Sequence, residues 1–295
     1  MIENIKQLEK IIKDAIDLEA TKLDLYFSRS FKFVFPASIG QASNLIELNI
    51  APHSSRGSIR SKLPDTIGNL KSLKKLYICA FSGYETIIPA SIGKLNKLQE
   101  LAIVDCHDIK YLPDDIGDLV NLRVLEIHGS TSSAGIKYLP ETIGNLKNLE
   151  HLCISDTSIA FIPKSIGKLM KLKKLEVTGN SFLSRLPEAV SELRNLKELE
   201  LEGSYFTSLP ENIGMLRNLR YLNVANNHLK NLPESIGDLA LLESIDLISN
   251  KLMSLPESIG NLTNLKYDID AYANPLQSLP GSAVNLPVKI SWDKE

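Results

Sequence analysis

Apolar and polar positions repeat along this chain with a period of 23 to 28 residues. One repeat runs from Leu219, and the next begins 23 residues later at Leu242. The apolar positions of the first are Leu219, Leu222, Val224, Leu229, Leu232, Ile236 and Leu239, with Asn227, Pro233 and Gly237 at fixed places between them. A unit this short cannot bury its apolar side alone, so copies of it must stack.

Each repeat contains two segments that predict different local structure. The LxxLxL segment, for example Leu196, Leu199 and Leu201, ends in alternating apolar and polar residues, which predicts a strand with one buried face. The LPxxIGxL segment returns the chain on the other side, where proline fixes one dihedral angle and glycine permits a close bend. The repeat is therefore a strand followed by a tight return.

An asparagine follows the strand at a fixed distance in several repeats. It stands at Asn180, Asn227, Asn250 and Asn274, and Ser204, Thr157 and Cys106 replace it elsewhere. We expect the asparagine amide to bond backbone groups of neighbouring repeats, because it offers both donors and an acceptor.

The prolines of the return segment indicate eleven repeats. They are Pro36, Pro64, Pro89, Pro113, Pro140, Pro163, Pro187, Pro210, Pro233, Pro256 and Pro280. The first repeat (Ala20, Leu23, Leu25) is degenerate, and residues 1–19 before it place apolar residues at helical spacing. These are Ile2, Ile5, Leu8, Ile12 and Ile16. We predict an amphipathic helical cap at 1–19, a solenoid at 20–285 and a C-terminal cap or tail at 286–295, with Trp292 as its apolar plug.

This pattern resembles the leucine-rich repeat family over about residues 20–285, and its LPxxIGxLxxL form is similar to the Ras-suppressor-like class. The resemblance implies an α/β solenoid, a curved horseshoe with a parallel β-sheet on its concave side. It also implies that another protein binds on that side.

Composition limits the remaining functions. The net charge of −2 and the lack of a basic run argue against nucleic acid. Three widely spaced cysteines fit a reducing compartment, and we expect neither a signal peptide nor a membrane span. We predict a monomer in the cytoplasm, or in a host cytoplasm if the protein is a bacterial effector.

Candidate chemistry is sparse. The sequence contains none of the common motifs for hydrolases, phosphate loops or dinucleotides, so we expect no enzyme activity, cofactor or metal. Stacking brings Cys153 beside Glu126 and Glu176, with His128 and His151 near, but flanking carboxylates raise a thiol pKa. Inserts at 53–62, 81–86 and 130–137 form either a binding rim or tolerated loop variation.

Charge on the predicted concave face is strongly one-sided. Eleven acidic residues and three lysines give that face a formal charge of −8. The acidic residues are Asp24, Glu47, Glu100, Glu126, Glu176, Glu198, Glu200, Glu202, Asp246, Asp268 and Asp270, and the lysines are Lys22, Lys75 and Lys174. Such a face would attract a basic partner, although the adjoining Lys74, Arg123, Lys173, Lys197 and Arg220 could neutralise part of it.

Aromatic residues on the same strands are candidate binding anchors, namely Tyr26, Phe27, Tyr77, Tyr221 and Tyr272. The sequence therefore predicts a protein–protein interaction module that binds a basic protein. The alternative is the recognition part of a larger enzyme, such as an effector ubiquitin ligase with its catalytic domain elsewhere. The predicted partner-binding residues are Glu126, Glu176, Glu198, Glu200, Glu202, Tyr221, Asp246, Asp268, Asp270 and Tyr77.

Overall fold

A computed structural model describes residues 1–28, 31–53, 58–81, 88–106, 108–129 and 135–293. Its residues form two compact units, Met1–Leu149 and Glu150–Glu295. Each unit is a stack of repeats, and each is described in turn.

The first unit begins with helix α1 (Ile5–Asp17) and continues with one main strand per repeat, to which the first two repeats add a short second strand. Its strands are β1 (Lys22–Phe27), β2 (Phe31–Lys32), β3 (Glu47–Pro52), β4 (Ile59–Arg60), β5 (Lys75–Cys79), β6 (Glu100–Val104) and β7 (Val124–His128). Strands β1, β3, β5, β6 and β7 pair in that order, all parallel. The short strands β2 and β4 form a separate parallel pair.

The second unit repeats the same arrangement. Its strands are β8 (His151–Ser155), β9 (Lys174–Thr178), β10 (Glu198–Glu200), β11 (Tyr221–Asn223), β12 (Ser244–Asp246), β13 (Ile269–Asp270) and β14 (Ile290–Ser291). They pair in sequence order and in parallel.

Short 3-10 helices return the chain between strands. In the first unit they span Ala37–Gln41, Asp65–Asn69, Ala90–Lys94, Asp114–Asp118 and Glu141–Asn145. In the second they span Lys164–Lys168, Glu188–Glu192, Ile213–Met215, Glu234–Asp238, Glu257–Asn261 and Gly281–Asn285. A repeat proline in extended conformation directly precedes all of them except Ile213–Met215, where Asn212 takes that place. The predicted leucine-rich repeat solenoid with a parallel sheet is confirmed.

The core lies between the strands and these helices. Strand residues alternate as predicted: Leu175 and Val177 of β9 are fully buried, whereas Lys174, Glu176 and Thr178 face solvent in part. The repeat isoleucine of the return segment, such as Ile166, closes the core from the other side.

The asparagines join successive repeats, as predicted. The Oδ1 of Asn250 accepts from the backbone N–H of Leu229 at 3.0 Å, and its Nδ2 donates to the carbonyl of Val224 at 2.9 Å. Both backbone groups belong to the preceding repeat, and Asn250 is buried. The amide thus satisfies backbone groups that neither a strand nor a helix can reach.

The repeat glycine has a different purpose from the bend expected of it. A Cβ on Gly167 would lie 2.6 Å from the carbonyl oxygen of Ala189 and 3.0 Å from its Cβ. Both atoms belong to the next return segment. The glycine is therefore needed because neighbouring repeats approach closely.

Helix α1 buries Leu8, Ile12 and Ala15, and its predicted stripe is correct at Leu8 and Ile12. The side chain of Asn4 caps the helix by accepting from the backbone N–H of Gln7 at 3.0 Å. Ile2, also buried, bridges to Phe27 of β1. The helix is thus joined to the first strand of its unit.

The C-terminal segment adds β14 to the sheet of the second unit. Ile290 and Ser291 pair with Ile269 and Asp270. Trp292 is half-buried and lines an open cleft of about 540 Å³ that also contacts Tyr272. The tail therefore continues the sheet by one strand.

Candidate functional site

The side chains that point away from the leucine core form the sheet surface of each unit. Because the strands are parallel and in register, these side chains form rows across the sheet. In the second unit one row contains Cys153, Glu176, Glu200, Asn223, Asp246 and Asp270. Most of the predicted partner-binding residues lie in such rows.

Carboxylates on the sheet surface of the first unit are largely paired with lysine. Lys22 Nζ lies 2.7 Å from Glu47 and 3.8 Å from Asp24, and Lys75 Nζ lies 2.9 Å from Glu100. The hydrogen bond from Lys22 is the main reason that the pKa of Glu47 is lowered. Much of the predicted negative charge is therefore neutralised locally in this unit.

Pairing continues on the first strands of the second unit. Lys174 Nζ lies 2.5 Å from Glu176 and 3.5 Å from Glu198, and His151 Nε2 lies 2.9 Å from Glu176. Burial acts to raise the pKa of Glu176, but the hydrogen bonds from Lys174 and His151 outweigh it and lower the pKa.

Four carboxylates farther along the second unit form what we call the acidic strip: Glu200, Glu202, Asp246 and Asp270. Among the described residues, no lysine or arginine lies within 4.0 Å of these carboxylates. Their partners are amides: Glu202 accepts from Asn223 at 3.2 Å, Asp246 from the N–H of Ile248 at 2.9 Å, and Asp270 from the N–H of Tyr272 at 3.4 Å. The strip keeps its negative charge. Asp268, also predicted, is exposed and accepts from the N–H of Lys289 at 3.0 Å.

Burial and mutual repulsion shift two carboxyl groups of the strip. Burial is the largest cause of the raised pKa of Glu200, and the charges of Glu176 and Glu198 add to it. The pKa of Asp246 is raised in the same way, by burial and then by Asp270 and Glu202. Asp246 and Asp270 are direct cross-strand neighbours, an arrangement that destabilises a sheet.

The flanking cations do not neutralise the strip. Lys173 pairs with Glu150 at 2.6 Å, and Arg220 and Lys266 both bind Glu243. Hydrogen bonds from Lys266 and Arg220 lower the pKa of Glu243, whose side chain is 9% exposed. These three cations are thus paired with glutamates outside the strip.

Four of the five predicted aromatic anchors are at least partly exposed, including Tyr26 and Tyr272, and one is not. Tyr221 is 38% exposed beside Glu198, and Tyr77 is half-buried on β5, where burial raises its pKa. The placement of Phe27 on the sheet surface was wrong: it is 1% exposed and stacks on Phe33 with ring centroids 5.1 Å apart. It occupies a core position of the β1 alternation, after the exposed Tyr26.

The cysteine–histidine cluster is only partly assembled within one unit. Cys153 is buried and in register with Glu176, whereas Glu126 and His128 belong to the first unit. Among the described residues, no group of three or more potential metal ligands was found. Of the predicted inserts 53–62, 81–86 and 130–137, residues 54–57, 82–86 and 130–134 lie outside the described residues.

A stack of parallel strands with an open sheet surface is the architecture of a protein-interaction module. A family model for the leucine-rich repeat region matches residues 105–209 and 201–270, more than half of the chain. The chain belongs to the leucine-rich repeat family. A search of curated protein sequences found no match.

Solved structures with a similar fold come from different settings. A TDR receptor shares 23% identity over 99% of this chain and 55% of its own, with a TM-score of 0.63. An internalin from Listeria monocytogenes shares 18% over 98% and 94%, with a TM-score of 0.56. The leucine-rich repeat domain of the type III effector XopL shares 24% over 97% and 80%, with a TM-score of 0.53. At these identities the similarity is one of fold.

No helix in the described part of the chain is long and apolar enough to cross a bilayer.

Proposed function

We propose that this protein is a non-enzymatic interaction module that binds a basic protein segment through the acidic strip. The observation that carries this proposal is the contrast between the strip and the rest of the sheet surface. Lysine pairs with Glu47, Glu100 and Glu176, whereas Glu200 and Asp246 have raised pKa values and, among the described residues, no lysine or arginine within 4.0 Å.

A basic partner would supply the missing counter-charges. Carboxylates that are half-buried and mutually repelling gain more from a cation than fully solvated ones, because less water is lost on binding. Exposed charge around them would steer the encounter and act mainly on the association rate. Tyr221, on the strand next to that of Asp246, would add an apolar anchor.

The experiment begins with capture of a partner from lysate and its identification by mass spectrometry. Association rates are then measured over a salt series for wild type and for Glu200→Gln/Glu202→Gln/Asp246→Asn. We expect the variant to associate more slowly at low salt and to lose most of the salt dependence.

A matched control removes three exposed carboxylates from the 3-10 helices of the same unit: Glu192→Gln/Glu234→Gln/Asp238→Asn. It changes the net charge equally but leaves the strip intact. Equal rates and equal salt dependence for wild type and the strip variant would refute the strip as the binding surface.

The finer assignments belong to the same proposal. The proposed location is a reducing cytoplasm, which three widely spaced cysteines favour, and the proposed state is a monomer. The alternative, the recognition part of a larger effector enzyme, draws support from the fold similarity to XopL alone. Catalytic assays on the full gene product would distinguish the two.

A further inference from the structure

The sheet surface of the first unit contains an open hollow of about 330 Å³. Strands β5, β6 and β7 supply the lining residues that matter here: Lys75, Tyr77, Glu100, Ala102, Val124 and Glu126. The hollow lies in the first unit, whereas the acidic strip lies in the second, and two of its lining residues, Tyr77 and Glu126, are predicted partner-binding residues.

Two small side chains create the hollow. Ala102 stands in register between Tyr77 and Glu126, and Val124 is the cross-strand neighbour of Glu100. A long side chain at position 102 would fill the space between the tyrosine ring and the carboxylate. The floor is therefore apolar and short, and the walls are long and polar.

The walls carry excess negative charge at one point. Lys75 is engaged by Glu100 at 2.9 Å, and this hydrogen bond is the main cause of its raised pKa. Glu126, in contrast, has no lysine or arginine within 4.0 Å among the described residues, and its nearest ionic contact is His128 Nε2 at 3.9 Å. A cation entering the hollow would meet the Glu126 carboxylate.

We propose that the hollow receives an arginine side chain of the protein partner, an inference that rests on the proposed function. The methylene stem would lie on Ala102 and Val124, and the guanidinium would stack on the Tyr77 ring while bonding Glu126. Arginine fits better than lysine because its planar head both stacks on aromatic rings and forms paired bonds to a carboxylate.

Size and shape favour one side chain over a whole small molecule. The volume is near the lower end of the range of roughly 300–1,000 Å³ for ligand pockets, which enclose most of their ligand. This hollow lies on a sheet surface and is open to solvent along one side. An anchoring residue of a bound polypeptide would fill it and leave the remaining chain outside.

The test is selection of random peptides, displayed on phage, against the full wild-type chain. We expect enriched peptides to share an arginine. Replacing that arginine with alanine in a synthetic peptide should weaken binding about tenfold or more, and replacing it with lysine should weaken it less, as for a buried charged anchor. Absence of an enriched arginine would reject the proposal.

Ala102→Phe fills the hollow from a half-exposed position and should abolish binding of the selected peptides. Val104→Phe is the matched control, because it adds the same ring two residues along β6 on the same side but outside the lining. Thermal unfolding of both variants verifies folding. Peptides that bind Ala102→Phe as well as wild type would overturn the proposal.

The same peptides distinguish binding in the hollow from binding at the acidic strip. Peptides that lose binding with Glu200→Gln/Glu202→Gln/Asp246→Asn but keep it with Ala102→Phe would reject the hollow and leave the strip standing. Glu126→Gln should weaken the selected peptides several-fold and reduce their salt dependence, whereas an unchanged affinity would count against the carboxylate contact.

Discussion

Replacing Asn227 with alanine should destabilise the second unit strongly, because one amide satisfies four backbone groups. Its Oδ1 accepts from the N–H of Phe206 at 3.0 Å. Its Nδ2 donates to the carbonyls of Leu201, Val224 and Ala225 at 2.8, 3.1 and 3.0 Å. The residue is 4% exposed, so water has little access to these groups.

The loss of stability depends on which of the four backbone groups keep another hydrogen-bond partner. Two of the carbonyls retain a donor, from Asn250 Nδ2 at 2.9 Å and from the N–H of Gly203 at 3.1 Å. The N–H of Phe206 and the carbonyl of Leu201 would lose the bond that Asn227 provides. At about 1–3 kcal/mol for each buried group left unsatisfied, the free energy of unfolding should fall by roughly 2–6 kcal/mol.

Urea denaturation followed by circular dichroism measures this difference, and Asn218→Ala is the matched control. Asn218 is exposed and its Nδ2 makes one bond, to the carbonyl of Arg194 at 2.7 Å. Its loss should cost about 0.5–1.5 kcal/mol. If Asn227→Ala were no more destabilising than Asn218→Ala, the asparagine row would not hold the repeats together.

Three further predictions concern the ends, the thiols and the charges. Deleting residues 1–19 should lower the melting temperature and promote aggregation, because it uncovers the first strand. A deletion variant that stays monomeric and melts at the wild-type temperature would contradict a capping role. Cys153 should react slowly with thiol reagents near pH 7, as should the buried Cys106, whose pKa burial raises to about 12; fast labelling of Cys153 in the native state would show it to be reactive. Because the pKa values of Glu200 and Asp246 are raised in the folded state, their contribution to stability is present below about pH 4 and is lost as pH rises through the folded-state pKa. The variant Glu200→Gln/Asp246→Asn should therefore be more stable than wild type at pH 7 but not at pH 3. Equal effects on stability at both pH values would contradict the raised pKa values.

The sequence predicted those features that depend on the repeat frame. Leu175 and Val177 are buried because every strand alternates, and Asn250 bonds the preceding repeat because its place in the period is fixed. Such features recur at known intervals, so one repeat informs the next. Phe27 was misplaced because adjacent residues of a strand face opposite sides: Phe27 lies on the buried face of β1 with Leu25, whereas Tyr26 points away.

Features that depend on individual side chains were beyond the sequence. Summed charge on the sheet surface could not reveal that Lys22 and Lys75 each bind a carboxylate on the adjoining strand. Nor could it assign Arg220 to Glu243 instead of to the strip. Ala102 is an ordinary strand residue by sequence, and only its two larger neighbours in the register make it the floor of a hollow.

Within the second unit, Glu243 and the carboxylates of the acidic strip differ in whether cations pair with them. Glu243 is nearly buried, and two cations hold its pKa down, which satisfies the general requirement that a buried charge be paired. Asp246 follows three residues later in the same repeat, yet an aspartate is its cross-strand neighbour and its pKa is raised. A lysine at the position of Asn223, which lies in register between Glu200 and Asp246, would place a cation between these carboxylates. The chain carries an asparagine there, so the strip remains open to a cation from outside, and this is the physical ground for proposing that a basic partner binds this surface.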